Sequence, residues 1–236
     1  MSVLVLNKLS VGYRQAILQN INTELVEQEF VILLGANGVG KSTLLKTILN
    51  HLPAINGEVI LLGKEVRLYS NLEMAKKVAI VTTQKQFDYT LHVKDVLELG
   101  RIPYLNFFAK LTNTDKDIIE KYIEKFTLSA LLHQKFSKLS DGQKQKVLIA
   151  RALIQNTPVI ILDEPTVHLD VKNRMQTFEL LKNVALEENK TIICATHEID
   201  IALRYATKVW LIDKHQNFII DDANKFNSDT VYCNLF

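Results

Sequence analysis

Residues Phe30-Val31-Ile32-Leu33-Leu34 run straight into Gly35-Ala36-Asn37-Gly38-Val39-Gly40-Lys41-Ser42-Thr43. An apolar run, a glycine-rich turn and then Lys41-Ser42 read as strand, loop and helix start. With the spacing G-x-x-x-x-G-K-[ST], that order is what a phosphate-binding loop requires. Gly38 and Gly40 permit backbone angles that other residues resist, so successive N–H groups can curl around an anion. The positive end of the helix starting near Lys41 points into the same space. Lys41 is expected on the β- and γ-phosphates and Ser42 on a Mg2+ ion, which makes the ligand a nucleoside triphosphate with Mg2+. The alternative, a chance glycine turn, does not account for the flanking strand and helix.

Composition sets the frame. A chain of 236 residues, 47% of them hydrophobic, can bury one large core or a core with an inserted lobe. A net charge of +2, from 28 basic and 26 acidic side chains, does not call for a nucleic-acid partner, and none is expected. Cys194 and Cys233 lie outside any metal-ligand spacing. Cys194 sits in an apolar run and reads as a packed thiol in a reducing compartment. Residues 1–9 lack the basic and apolar segments of a secretion signal. No apolar run approaches the roughly 20 residues of a membrane span. The expectation is a soluble, cytoplasmic protein that works at a membrane only if a partner holds it there.

Apolar runs at 30–34, 78–81, 159–162, 191–195 and 208–212 read as strands buried on both faces, which suits a parallel sheet covered by helices. Helices are expected at 43–50, 171–188 and 199–205. This alternation predicts an α/β class with crossover connections. Residues 1–29 and 57–68 alternate polar and apolar, with turns at Gly12 and Gly63, and read as antiparallel strands on one edge. Helices at 92–101, 114–126 and 141–154 form an inserted lobe. The predicted organisation is one domain over 1–236, with core and β edge at 1–87 and 158–236 and a helical lobe at 88–157.

Two further motifs carry chemistry. Val159-Ile160-Ile161-Leu162-Asp163-Glu164-Pro165 is an apolar strand that ends in two acids. Beside a phosphate loop, Asp163 is placed to hold Mg2+ through water, and Glu164 to accept a proton from an attacking water. The plain alternative is a strand ending in solvated acids. Leu139-Ser140-Asp141-Gly142-Gln143 opens a long helix. Ser140 fits an N-cap with Gln143 as its capping-box partner. The same helix start, with the Ser140 hydroxyl and the Gly142 N–H, can also contact a phosphate. The chain's own phosphate is already cradled, so that contact would serve another copy.

With these residues in view, the chain resembles the nucleotide-binding subunits of ATP-binding-cassette (ABC) transporters along nearly its whole length. The L-S-D-G-Q signature ahead of the D-E-P strand separates that family from other phosphate-loop proteins. The resemblance implies a RecA-like phosphate-loop core, ATP and Mg2+ as ligands, and two subunits packed head to tail. Each ATP would then lie between residues 35–43 of one copy and Ser140, Gly142 and Gln143 of the other. It implies that Tyr13 stacks on adenine, although a core tyrosine is the alternative, and that Gln84 reaches Mg2+ and the water. It implies that Asp170, in His168-Leu169-Asp170, contacts the partner subunit. It also implies that His197 bonds the γ-phosphate and orients Glu164. One departure stands out: the family pattern is L-S-G-G-Q, and Asp141 replaces the first glycine. An acid in the first helical turn favours the helix dipole, so Asp141 is expected to point outward.

Leu97-Glu98-Leu99-Gly100-Arg101-Ile102-Pro103-Tyr104 is similar to the L-x-x-G-R-x-P-[HY] stretch of importers for iron–siderophore complexes, haem and cobalamin. The resemblance implies an ATPase on the cytoplasmic face of the cell membrane, bound to permease subunits and served indirectly by a substrate-binding protein. Tyr104-Leu105-Asn106-Phe107-Phe108 reads either as a permease-docking patch or as packing within the lobe. Zinc and manganese importer ATPases, ABC ATPases of translation or DNA repair, and a regulatory module that does not hydrolyse are the alternatives. Residues 221–236 carry no motif.

Overall fold

A computed structural model describes residues 1–82, 90–106, 110–167 and 169–235. Gln84, Phe107, Phe108 and His168 lie outside the described residues, as does the expected boundary at 87/88.

The apolar run after residue 29 forms β3 (Phe30–Gly35), buried along its whole length. Its neighbours are β8 (Thr191–Ala195) and β9 (Lys208–Ile212), both parallel to it. Beyond β8 lie β7 (Val159–Asp163) and β6 (Val78–Val81), also parallel. The sheet closes on its other side with β10 (Phe218–Asp222), antiparallel to β9. Alternate residues of β3 face opposite cores. Phe30, Ile32 and Leu34 pack with the helices that include α5 (Asp141–Ile154) and α6 (Val171–Glu187), whereas Val31 and Leu33 pack with α1 (Lys41–Ile48). Burial on both faces is why these strands read as continuous apolar runs.

The antiparallel strands form a sheet of their own. Its order is β2-β1-β4-β5, with β1 at Ser2–Gly12, β2 at Ala16–Val26, β4 at Asn56–Leu61 and β5 at Lys64–Glu65. The alternation is real, but the buried faces of Leu4, Leu6, Leu18 and Val59 cover α1 and the underside of β3 instead of extending the core sheet. The antiparallel edge of the core sheet is β10.

The segment expected as a lobe contains α3 (Val93–Glu98), α4 (Asn113–Lys125) and α5, which share one hydrophobic cluster with β3, β7 and α6, and α2 (Asn71–Ala75) precedes β6. The helix expected at 92–101 stops at Glu98 and continues as a 3-10 segment, Leu99–Tyr104. The cause is Gly100, where a Cβ would lie 2.6 Å from the Arg151 carbonyl oxygen of α5. Arg101 then turns inward to Asp115 (Nε–Oδ1 2.7 Å) and donates to the Ile154 carbonyl at 3.0 Å. The chain ends with α7 (Ile199–Tyr205) before β9 and α8 (Ser228–Leu235) after β10. Among the described residues no helix is long and apolar enough to cross a membrane.

Candidate active site

Strand register brings the functional segments together. Leu33 of β3 and Asp163 of β7 both pair with Ala195 of β8, so the three strands end side by side. The residues that follow, 35–40, Glu164 and His197, therefore leave the same edge of the sheet. Open parallel sheets bind their ligands at the carboxyl ends of the strands, where the strand order reverses. Here β3 lies between β8 and β9, with β7 and β6 beyond β8.

The loop itself needs its glycines. Gly38 has φ +80° and Gly40 φ +122°. The latter is a conformation that L residues avoid, and a Cβ there would also press on Ile17 at 3.1 Å. Gly40 caps α1 without a side-chain bond, and Leu44 donates to its carbonyl at 2.9 Å. The first-turn amides therefore point into a pocket of about 190 Å3. Asn37, Gly38, Gly40, Lys41, Ser42 and Thr43 line one side of it, and Asp163 and Glu164 the other.

Lys41 is 7% exposed, and its ammonium donates to the carbonyls of Gly35 (2.6 Å) and Ala36 (3.1 Å). Burial pushes its pKa down against the pull of Glu164 and Asp163. The Ser42 hydroxyl donates to Asp163 Oδ2 at 3.0 Å. A hydroxyl and a carboxylate side by side are hard oxygen ligands, the kind that a divalent cation such as Mg2+ takes together with phosphates and waters.

Glu164 adopts a left-handed backbone, φ +53°, and its N–H donates to the Ala195 carbonyl at 2.9 Å. That turn separates it from Asp163 and carries its carboxylate to His197, with Nδ1 2.8 Å from Oε2. A non-glycine residue in this region stores strain of about 1–3 kcal/mol, a cost typical of functional turns. His197 Nε2 lies 3.5 Å from Oε1 of Glu198, the next residue.

The second helix start is set apart. Ser140 caps α5: its hydroxyl accepts from the Gln143 N–H at 3.2 Å, and its N–H donates to Gln143 Oε1 at 3.0 Å. Asp141, half-exposed in the first turn, pairs with Lys144 at 3.4 Å. Ser140, Gly142 and Gln143 are not among the described residues that line the phosphate-loop pocket. Tyr13 is 64% exposed on the β1–β2 turn, which leads to the Ile17 that touches Gly40.

Over residues 18–167 the sequence matches the family described as ABC transporter. The chain belongs to the ABC transporter family. This ABC ATPase couples ATP hydrolysis to transport. It is 41% identical over 209 residues to the uncharacterized ABC transporter ATP-binding protein MJ0873 of Methanocaldococcus jannaschii, covering 88% of this chain and 72% of that one. It is 33% identical to the achromobactin transport ATP-binding protein CbrD of Dickeya dadantii, over 94% of this chain and 86% of that one. Among solved structures, the dimeric ATP-binding cassette MJ0796 bound to ADP and Pi superimposes with a TM-score of 0.81 at 27% identity. That match covers 94% of this chain and all of the other.

The ABC ATPase thus gathers residues 35–43, Asp163, Glu164 and His197 at one sheet edge and leaves the signature elsewhere. Sequence reasoning missed Glu198, whose only signal was its place next to His197. It also missed Arg174, which reads as an ordinary helix cation. Cys194 is fully buried, and burial together with the nearby Glu164 and Asp163 carboxylates pushes its thiol well above the usual range. That agrees with a packed, inert thiol.

Proposed function

We propose that this ABC ATPase is the nucleotide-binding subunit of an importer and works as a homodimer on a membrane permease. The observation that carries this reading is the separation of the two phosphate-binding helix starts. The α1 end and the phosphate loop line one side of a pocket whose other side carries Asp163 and Glu164. The α5 end, with its Ser140 hydroxyl and Gly142 amide, lies away from that pocket and suits the nucleotide of a second copy. In this arrangement Tyr13 stacks on adenine, Lys41 and the loop amides hold the phosphates, and His197 orients Glu164. Glu164 takes the proton of the attacking water, with Gln84 in support. Ser42, and Asp163 through water, would hold a Mg2+ ion, which would supply positive charge against the triphosphate. Positioning and charge stabilisation dominate phosphoryl transfer, so little covalent chemistry is asked of the protein.

The proposed cargo is an iron–siderophore complex, haem or cobalamin. The names of CbrD, of the petrobactin import protein FpuC of Bacillus anthracis and of the cobalamin import protein BtuD of Halobacterium salinarum support the siderophore and cobalamin options, and haem rests on the resemblance of residues 97–104 alone. The site of work is the cytoplasmic face of the membrane, with a substrate-binding protein delivering cargo to the permease. Tyr104 is part of the proposed contact; its ring lies 4.1 Å from the Arg101 guanidinium, and Ile102 beside it is 54% exposed.

Two measurements test the reading. In the permease-bound complex, Glu164→Gln should abolish phosphate release and trap a closed dimer with ATP-Mg; a variant that hydrolyses normally overturns the site assignment. Gene disruption should remove growth on one of the three cargoes supplied singly. Loss of zinc- or manganese-limited growth instead would reassign the cargo.

A further inference from the structure

His197 faces two carboxylates. Nδ1 lies 2.8 Å from Glu164 Oε2, and Nε2 lies 3.5 Å from Glu198 Oε1. An imidazole between two unneutralised carboxylates can be drawn to either. One of the two carboxylates is met by a cation from α6. Arg174 Nη1 lies 2.5 Å from the same Glu198 Oε1, and its Nε donates to the Leu169 carbonyl at 2.7 Å. Arg174 and Glu198 are both mostly buried, at 26% and 14% side-chain exposure, so their charges are only partly screened.

The backbone fixes Glu198 in turn. Its N–H donates to the Thr196 hydroxyl at 3.1 Å, and its carbonyl accepts from Ala202 in the first turn of α7. Leu169 is equally fixed: its N–H donates to the Thr166 carbonyl at 3.0 Å, and the next residue, Asp170, caps α6 by accepting from the Asn173 N–H at 2.8 Å. A continuous line of polar contacts therefore runs Glu164–His197–Glu198–Arg174–Leu169. It joins two residues of one strand-to-helix connection that lie five positions apart in sequence.

We propose that Arg174 is a positioning residue for hydrolysis. By neutralising Glu198 it leaves His197 committed to Glu164, and by holding Leu169 it ties that pair to the start of α6. The planar fork of arginine can serve the carboxylate and the carbonyl together. Without its charge, Glu198 competes for the imidazole and draws it off Glu164. The phosphate-loop residues that hold most of the nucleotide take no part in this chain, so the larger effect falls on kcat. The inference rests on the assignment of Glu164 and His197 to hydrolysis, which Glu164→Gln tests separately. Normal turnover in E164Q defeats that assignment whatever Arg174 does.

The test compares three variants of the permease-bound protein. Arg174→Gln places an amide nitrogen where Nε sits, so it can keep the Leu169 bond, but it lacks the terminal nitrogens that meet Glu198 and the charge. It should lower kcat by about tenfold while KM for ATP moves less than about threefold. Arg174→Lys restores the charge and should recover most of the lost kcat. Arg174→Gln combined with Glu198→Gln removes the competing carboxylate and should also recover kcat. A purely structural role would leave the double variant no better than R174Q. An R174Q enzyme with unchanged kcat, or a double variant without recovery while both proteins melt within a few degrees of the parent, overturns the proposal. If R174Q itself misfolds, Arg174→Met takes its place: alone it should lower kcat by about tenfold, and combined with Glu198→Gln it should recover most of that loss; an unchanged kcat in the single variant, or no recovery in the double, overturns the proposal.

Discussion

Arg101→Ala should be the most damaging single truncation in the helical lobe. Arg101 and Asp115 are 7% and 6% exposed and meet at 2.7 Å. The guanidinium also donates to the carbonyls of Ile154 (3.0 Å) and Gln155 (3.3 Å) at the end of α5. Removing one partner of a buried pair leaves an uncompensated charge and costs about 3–5 kcal/mol. Asp115 keeps two bonds on its other oxygen, from the Thr112 N–H (2.8 Å) and hydroxyl (2.7 Å), which argues for the lower end, about 3 kcal/mol. At roughly 2–4 °C per kcal/mol for a domain of this size, the melting temperature should fall by about 6–12 °C. Burial alone would raise the Asp115 pKa, but Thr112 and Arg101 outweigh it and hold the carboxyl below its usual range. A depressed folded pKa contributes stability above the unfolded value of about 3.9 and loses it as the pH falls through the folded value. The deficit of the variant should therefore be full at pH 7 and shrink below about pH 4. Calorimetric melts at a series of pH values measure both quantities. A loss under about 2 °C at neutral pH would refute the reasoning, since it would mean the pair is not effectively desolvated.

Three more outcomes follow from the site. Gly40→Ala forces an L residue to φ +122° against Ile17 and should weaken ATP binding by about five- to 150-fold in a fluorescent-nucleotide titration, the equivalent of about 1–3 kcal/mol in backbone strain. Tyr13→Ala removes an exposed ring and should leave the melting temperature unchanged while lowering ATP affinity by about fivefold, the worth of one aromatic stack. Asp141→Gly should change ATP turnover by less than about tenfold, because Asp141 is engaged with Lys144 on its own helix. A larger increase would show that the acid impairs the site, as a carboxylate near a γ-phosphate would by Coulomb repulsion.

The parallel strands were legible because burial on both faces leaves uninterrupted apolar runs, and β3, β6, β7, β8 and β9 lie where those runs fall. The antiparallel strands were legible as strands but not as a separate sheet. Alternation reveals one buried face and says nothing about what covers it. Strand β10 escaped notice because Phe218-Ile219-Ile220-Asp221-Asp222 is half-buried at an edge and ends in two acids. The phosphate loop and Asp163-Glu164 could be read because each occupies a fixed spacing after a strand. Glu198 and Arg174 could not, because a carboxylate at the start of a short helix and an arginine four residues after Asp170 read as solvated charges. Their pairing is visible only as a meeting in space.

The G-R-x-P segment gains a mechanical meaning from the way α5 is held. Its C-terminal end is pinned from several directions. Arg101 binds the last carbonyls, Gln155 donates to the carbonyls of Ala75 (2.6 Å) and Val78 (3.1 Å), and Arg151 donates to Ile80 at 3.2 Å. Its other end carries Ser140 and Asp141 on the surface. The helix has 14 residues, so at 1.5 Å per residue the signature lies about 21 Å from this anchor. A rotation of about 10° about the anchored end would move Ser140 by about 4 Å, more than the length of a hydrogen bond. In the proposed dimer, small changes where α5 meets β6 and the 3-10 turn would therefore set how far Ser140 reaches toward the second copy. Gly100, packed on Arg151, and Arg101, bonded to Asp115 and the Ile154 carbonyl, set that anchor and are not among the described residues that line the phosphate-loop pocket.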